Sequence, residues 1–154
     1  MSLLESGHTA FDAAVAAGFV LQIVEPHLNG PGGEVPIIVT PAGQRPIVIS
    51  GQGPSPAGAT LAKFAELGLD LVPGTGLLPA CVPGAFGAWL TLLRDYGTAE
   101  LEDVLAPAIH YAEHGHPIVP RIANTIGTMR ELFDTHWPSS AALYLPNGKV
   151  PQAG

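Results

Sequence analysis

Apolar positions along this chain fall into a few periodic blocks, separated by stretches dense in glycine and proline. Residues 8 to 24 are nearly all small or apolar, and Phe11, Ala14, Val15 and Gly18 open a helical face. Thr9, followed three residues later by Asp12, supplies a capping-box start. The block therefore predicts a helix buried on most sides, stopped at Glu25-Pro26 because the residue before proline disfavours helical backbone. The loop Asn29-Gly30-Pro31-Gly32-Gly33 follows. Val35 to Thr40 and Arg45 to Ser50 are rich in β-branched residues and flank Pro41-Ala42-Gly43-Gln44, the pattern of a β-hairpin. Residues 51–58 read as loop, 59–67 as a short helix, and 72–84, with Pro73-Gly74, Pro79 and Pro83-Gly84, as irregular chain.

Helical periodicity returns from Ala85 to Asp95, with Phe86, Trp89, Leu90 and Leu93 on the face expected to be buried. A further helix is predicted from Thr98 to about His114, its stripe formed by Leu101, Val104, Leu105, Ala108, Ile109 and Ala112. Pro107 is expected to bend or divide it; Gly115 and Pro117 end it. A last helix fits 120–133, with Ile122, Ile126, Met129 and Phe133 inward, and Ala141 to Leu145 before Asn147-Gly148 reads as a final strand and turn. The fold class predicted is α+β, mostly helical with one β-hairpin.

Composition narrows the setting. Hydrophobic residues make up 47% of the 154 positions and charged residues only 12%, about half the usual charged share. So little polar surface predicts a part of a larger body, with apolar faces covered by partners, further copies of the chain among them. A net charge of −7 with six Lys and Arg argues against nucleic acid, whose binding depends on neutralising phosphates. No uninterrupted apolar run reaches the roughly 18 residues of a membrane span. Met1-Ser2-Leu3 reads as an added leader, without the basic region of a signal peptide, and nothing selects between cytoplasm and periplasm. The single Cys81 lies among Leu77, Leu78 and Val82 and is expected to be a buried thiol.

Several local patterns carry chemistry. The glycine loop at 30–33 can present bare backbone N–H groups to a substrate. His27 beside it reads as a catalytic base or, more simply, as a helix-end residue bonding backbone carbonyls. Glu25 is either an orienting carboxylate or a structural cap. His110-Tyr111-Ala112-Glu113-His114 has the H-x-x-E-H spacing that puts two imidazoles on one helix face for zinc; a solvated face is the expectation, since a third ligand would have to come from Glu131 or Asp134. Around Ser50, Val48 and Gln52 replace both glycines of a nucleophile elbow. Gly74-Thr75-Gly76 lacks the rest of a phosphate loop, and Phe86 and Trp89 read as core. No metal or cofactor is expected.

Four blocks in order resemble the N-terminal part of the large subunit of gamma-glutamyltransferases (gamma-glutamyltranspeptidases). They are Val24-Glu25-Pro26-His27 with its helix and glycines, the hairpin entering Gly51-Gln52-Gly53-Pro54-Ser55-Pro56, Cys81-Val82-Pro83-Gly84-Ala85-Phe86-Gly87-Ala88-Trp89 running to Thr98, and Leu105-Ala106-Pro107-Ala108-Ile109 through Gly115. The resemblance covers residues 4 to about 135. It implies a fragment of an N-terminal-nucleophile hydrolase, a four-layer αββα sandwich built from one self-cleaving precursor, with residues 4–154 a partial large-subunit domain cut at both ends. The nucleophile would be the Thr at the start of the small subunit, with its own α-amine as base. On this reading the chain holds no catalytic residue, and its partners are the rest of the precursor and a small amide or peptide substrate.

Two departures from the family pattern bear on that substrate. The family usually places an Arg after the hairpin to grip the α-carboxylate of the gamma-glutamyl donor, and here that position falls on Gln52. Gln cannot form a charged bidentate clamp, a difference worth more than roughly 1 kcal/mol in a partly dry site. Arg45 lies about seven residues away, roughly 23 Å along an extended strand. The glycine loop also continues Gly32-Gly33-Glu34-Val35 where the family commonly has Gly and Phe. Gln52, Gly32 and Gly33 are therefore the expected substrate-binding residues, of an acylase or amidohydrolase relative rather than a glutathione enzyme; the alternative is that Gln52 is only a loop residue and a group from the rest of the precursor binds the carboxylate. The competing class is a non-catalytic binding domain acting through oligomeric contacts.

Overall fold

The computed structural model describes residues 1–154, which form eight α-helices and one two-stranded sheet. In chain order these are α1 (Ser2–Glu5), α2 (Ala10–Val24), β1 (Val35–Val39), β2 (Ile47–Gly51), α3 (Leu61–Glu66), α4 (Ala85–Tyr96), α5 (Leu101–His114), α6 (Pro120–Thr128), α7 (Arg130–His136) and α8 (Pro138–Tyr144), closed by a 3₁₀ turn at Pro146–Gly148. The chain divides into two compact units, one of residues 1–15 with 30–101, the other of residues 16–29 with 102–154. No helix is long and apolar enough to cross a membrane.

In the first unit, the capping box at the start of α2 forms as predicted and then does more. Asp12 Oδ2 accepts from the Thr9 backbone N–H at 2.8 Å and from the Thr9 hydroxyl at 2.7 Å, while Thr9 Oγ1 accepts from the Asp12 N–H at 3.3 Å. The same carboxylate accepts from the N–H and hydroxyl of Thr98, at 2.9 and 3.0 Å, and from the Ala99 N–H at 3.1 Å. Asp12 is fully buried. Burial alone would raise its pKa, but the bonds from the Thr9 hydroxyl and from the backbone of Ala99, Thr9 and Thr98 outweigh it and hold the carboxyl well below its ordinary 3.8. Gly97 leaves the room, since a Cβ there would strike Asp12 Oδ1 and the Leu93 carbonyl. Beside this knot, Phe11 and Tyr96 pack with ring centroids 5.5 Å apart.

The hairpin also forms as expected, antiparallel, with Val35 opposite Gly51, Ile37 opposite Ile49 and Val39 opposite Ile47. Its turn is closed by the Gln44 N–H on the Pro41 carbonyl at 3.0 Å, and Gly43 takes the left-handed backbone that the turn requires. Thr60 caps α3, accepting from the Lys63 N–H at 3.2 Å. α4 packs on β2 through a different face from the one predicted. Its buried residues are Ala85, Ala88, Leu92 and Leu93, whereas Phe86 is exposed and Trp89 and Leu90 are half-buried. Close approach selects the alanines: a Cβ on Gly51 would lie 2.6 Å from the Ala88 Cβ. The 72–84 segment is irregular but lies on the surface, so Cys81 is exposed rather than buried, alongside an 92% exposed Leu77.

In the second unit, α5 continues unbroken through Pro107, with only Val104 and Ala108 buried and the outer positions of the predicted stripe exposed or half-buried. The predicted last helix is two: α6 ends at Met129, whose N–H reaches the Thr125 and Ile126 carbonyls, and α7 restarts at Arg130. The strand expected at 141–145 is helix instead. Pro138 sits in the first turn of α8, and two serines and two alanines carry the chain helically to Tyr144. A five-residue apolar run cannot be assigned by periodicity alone. The turn at Asn147-Gly148 is present, both residues left-handed. Ile122, Ile126 and Leu145 form the core, with Phe133, Ala141, Tyr144 and Val150 against it.

Asp12 gives the fold a definite pH signature. Because its folded pKa lies below 3.8, its contribution is complete above the unfolded value and is lost as pH falls through and below it. Replacement by Asn turns one of the two oxygens into an amide donor facing the two donors on Oδ1 or the three on Oδ2, and is expected to cost about 2–4 kcal/mol at neutral pH. Urea unfolding of both proteins from pH 7 to pH 2.5 checks this: the difference should shrink as acid removes what Asp12 supplies.

Candidate functional site

Three of the glycine-bearing segments converge at the start of α4. The Gly33 carbonyl accepts from the N–H groups of Gly84 and Ala85 at 3.2 and 3.1 Å, capping the helix from another segment. The Pro54 carbonyl accepts from the Val82 N–H at 2.9 Å. Gly53 has φ of +73°, and a Cβ there would overlap the Val82 carbonyl oxygen. A Cβ on Gly84 would collide with the Gly51 carbonyl and lie 2.7 Å from the Gly53 nitrogen. The absence of side chains at Gly51, Gly53 and Gly84 is thus what lets three backbones meet.

Gln52 stands in the middle of this junction, between two glycines that cannot carry side chains, and is itself exposed. Its amide can donate and accept but adds no charge. Arg45 precedes β2 and Gln52 follows it, so the strand separates the two. Gly32 is exposed, with nothing within 4 Å of where a Cβ would stand. Gly33 differs from the expectation of a bare N–H. Its N–H is used in a turn to the Gly30 carbonyl at 2.9 Å, and its carbonyl caps α4. The structure therefore brings Gly33 and the flanks of Gln52 to one helix end. The meeting of Gly84 with Gly51 and Gly53 is not readable from spacing; its only trace in the sequence is a glycine in each segment.

His110 and His114 stack with ring centroids 4.5 Å apart, and the His114 Nδ1–H donates to the His110 carbonyl at 3.0 Å. That arrangement spends one imidazole nitrogen, and no three His, Cys, Asp or Glu side chains gather there or elsewhere. His27 lies in the second unit and does not bond backbone carbonyls: neither ring nitrogen has a hydrogen-bond partner. Ser50 is exposed on β2, opposite Pro36.

The junction separates structural glycines from free ones. Gly53→Ala is expected to cost at least about 3 kcal/mol, since it adds left-handed strain to a backbone collision. Gly32→Ala should stay within about 0.5 kcal/mol of the parent. Denaturant unfolding followed by far-UV circular dichroism distinguishes them, and equal losses at both positions would contradict the geometry.

The family profile described as Gamma-glutamyltranspeptidase matches residues 1–154. The chain is 33% identical over 154 residues to the glutathione hydrolase-like YwrD proenzyme of Bacillus subtilis, covering 99% of this chain and 29% of the relative. It is 34% identical over 161 residues to the acylase ACY 1 proenzyme of a Pseudomonas strain, again 99% of this chain and 29% of the relative. Among solved structures, LmbA2991HD superposes with a TM-score of 0.97 at 60% identity, over 100% of this chain and 27% of that one. The chain thus spans about 29% of the length of these curated relatives. It belongs to the gamma-glutamyltranspeptidase family.

Proposed function

We propose that these residues are the large-subunit portion of an enzyme that hydrolyses or transfers a gamma-glutamyl or related acyl group from an amide. The match of the whole chain to the family carries this reading. On it, the nucleophile is a threonine outside this span, exposed by self-cleavage of a precursor. Its hydroxyl attacks the acyl carbon, its proton passes to the threonine's own α-amine, and that proton leaves with the departing amine. Water or an acceptor amine then takes the acyl group. The proenzyme names of both curated relatives support a processed precursor.

Surface composition supports a larger assembly. Ile38 and Val48 lie directly opposite each other on the hairpin and are 74% and 67% exposed. Two strands alone are marginal in water, so this apolar face fits inside a wider sheet, the αββα sandwich that the family resemblance implies.

Within that enzyme Gln52 and Gly32–Gly33 form one wall of the acyl pocket. Gly33 acts by placing the loop against α4, Gly32 by leaving backbone open, and Gln52 by offering a neutral amide where a charged clamp would select a carboxylate. The acyl groups favoured are those without an α-carboxylate.

The full-length protein tests this. It should split into two chains and hydrolyse an uncharged acyl anilide better than gamma-glutamyl anilide. Gln52→Arg should raise kcat/KM for the gamma-glutamyl substrate about tenfold or more, equivalent to roughly 1.4 kcal/mol, and leave self-cleavage intact. A protein that never splits and cleaves neither anilide would defeat the reading.

A further inference from the structure

The end of the hairpin that meets the glycine junction carries one charged side chain, and it is acidic. Val35 pairs with Gly51 and Pro36 with Ser50; one step further in the same register, Glu34 stands across from Gln52. Opposed residues of an antiparallel pair share a face, with Cβ atoms about 5 Å apart. The backbone is held on both strands beside this pair. The Gly33 carbonyl caps α4, and Gly53 lies against the Val82 carbonyl. Glu34 and Gln52 are both exposed, as are Pro36 and Ser50 next to them on that face.

Glu34 has no ion pair. Of the Lys and Arg side chains in the first unit, Lys63 pairs with Glu66 at 3.1 Å and Arg94 with Asp95 at 2.6 Å. Arg45 lies beyond the far end of β2. Backbone donors at the junction are spent as well. The N–H groups of Gly84 and Ala85 go to the Gly33 carbonyl, that of Gly33 to Gly30, and that of Val82 to Pro54. What stays open is an acceptor-only carboxylate, a neutral amide and the Ser50 hydroxyl. An anion meets repulsion there, whereas a cationic nitrogen meets a charge-assisted partner.

We infer that Glu34 selects acyl groups carrying a cationic nitrogen, an ammonium or amidinium, in the place where a gamma-glutamyl group has its α-carboxylate. The side-chain oxygens of Gln52 and Ser50 accept the remaining hydrogens of that nitrogen. This rests on the acyl-pocket reading above and adds a charge preference to it. Glu34 governs which acyl group is held and takes no part in bond breaking.

Three anilides given to the full-length protein test it: butyryl, γ-aminobutyryl and glutaryl. The last two are the gamma-glutamyl group with only its amine or only its carboxylate. The γ-aminobutyryl anilide should have a kcat/KM about tenfold above butyryl, and glutaryl should be the poorest. In Glu34→Gln the preference for the amine should fall to within about twofold, and Glu34→Asp should keep most of it. Gln52→Arg, which sets a guanidinium across from Glu34, should cancel the preference too, and it decides the matter if Glu34→Gln does not fold. Cleavage of butyryl anilide without a preference for the amine, or a preference that survives in Glu34→Gln or Gln52→Arg, would overturn the inference and leave the acyl-transfer reading standing. A protein that cleaves none of the three defeats both.

Discussion

The Asp12 carboxylate is the interaction on which the architecture of the first unit depends. It is fully buried and still ionised, and it remains so because five donors converge on its two oxygens. Two of those donors belong to Thr9 and start α2. Three belong to Thr98 and Ala99, in the connection that leaves α4 and enters α5. One side chain thus sets where a helix begins and where a distant loop must run. A buried charge of this kind tolerates no partial solution, because each missing donor exposes the desolvation cost of the ion.

A second constraint, steric rather than electrostatic, organises the opposite end of α4. Gly51, Gly53 and Gly84 allow β2, the loop after it and the helix start to approach more closely than side chains permit. Gln52 is flanked by positions that cannot change without moving the backbone, so it is the free variable of the junction. Gly33 illustrates the reverse case: a residue that looked like an open donor is occupied at both its N–H and its carbonyl.

Where sequence and structure part, the reasons are specific. The α4 face turned because backbone proximity rewarded Ala85 and Ala88 over the larger Phe86 and Trp89. Ala141 to Leu145 became helix because proline and serine in the preceding turn decided a run too short for periodicity to classify. Cys81 emerged because its apolar neighbours lie on an exposed irregular segment. His27 was readable as a helix-end residue, but its seclusion beside Phe133, Trp137 and Tyr144 depends on residues a hundred positions away.

By itself the sequence determined what local physics can decide: the Thr9–Asp12 cap, the hairpin and its turn, the start of α4 at Ala85, and the family, through motifs in fixed order. Those features rest on hydrogen bonds, dihedral preferences and periodicity within a few residues. The tertiary structure alone decided the second half of Asp12's bonding, the collision that makes Gly84 need Gly51 and Gly53, and the enclosure of His27. Each joins segments far apart in the chain, and which donors meet an ion or which backbones touch is set only when the chain has packed.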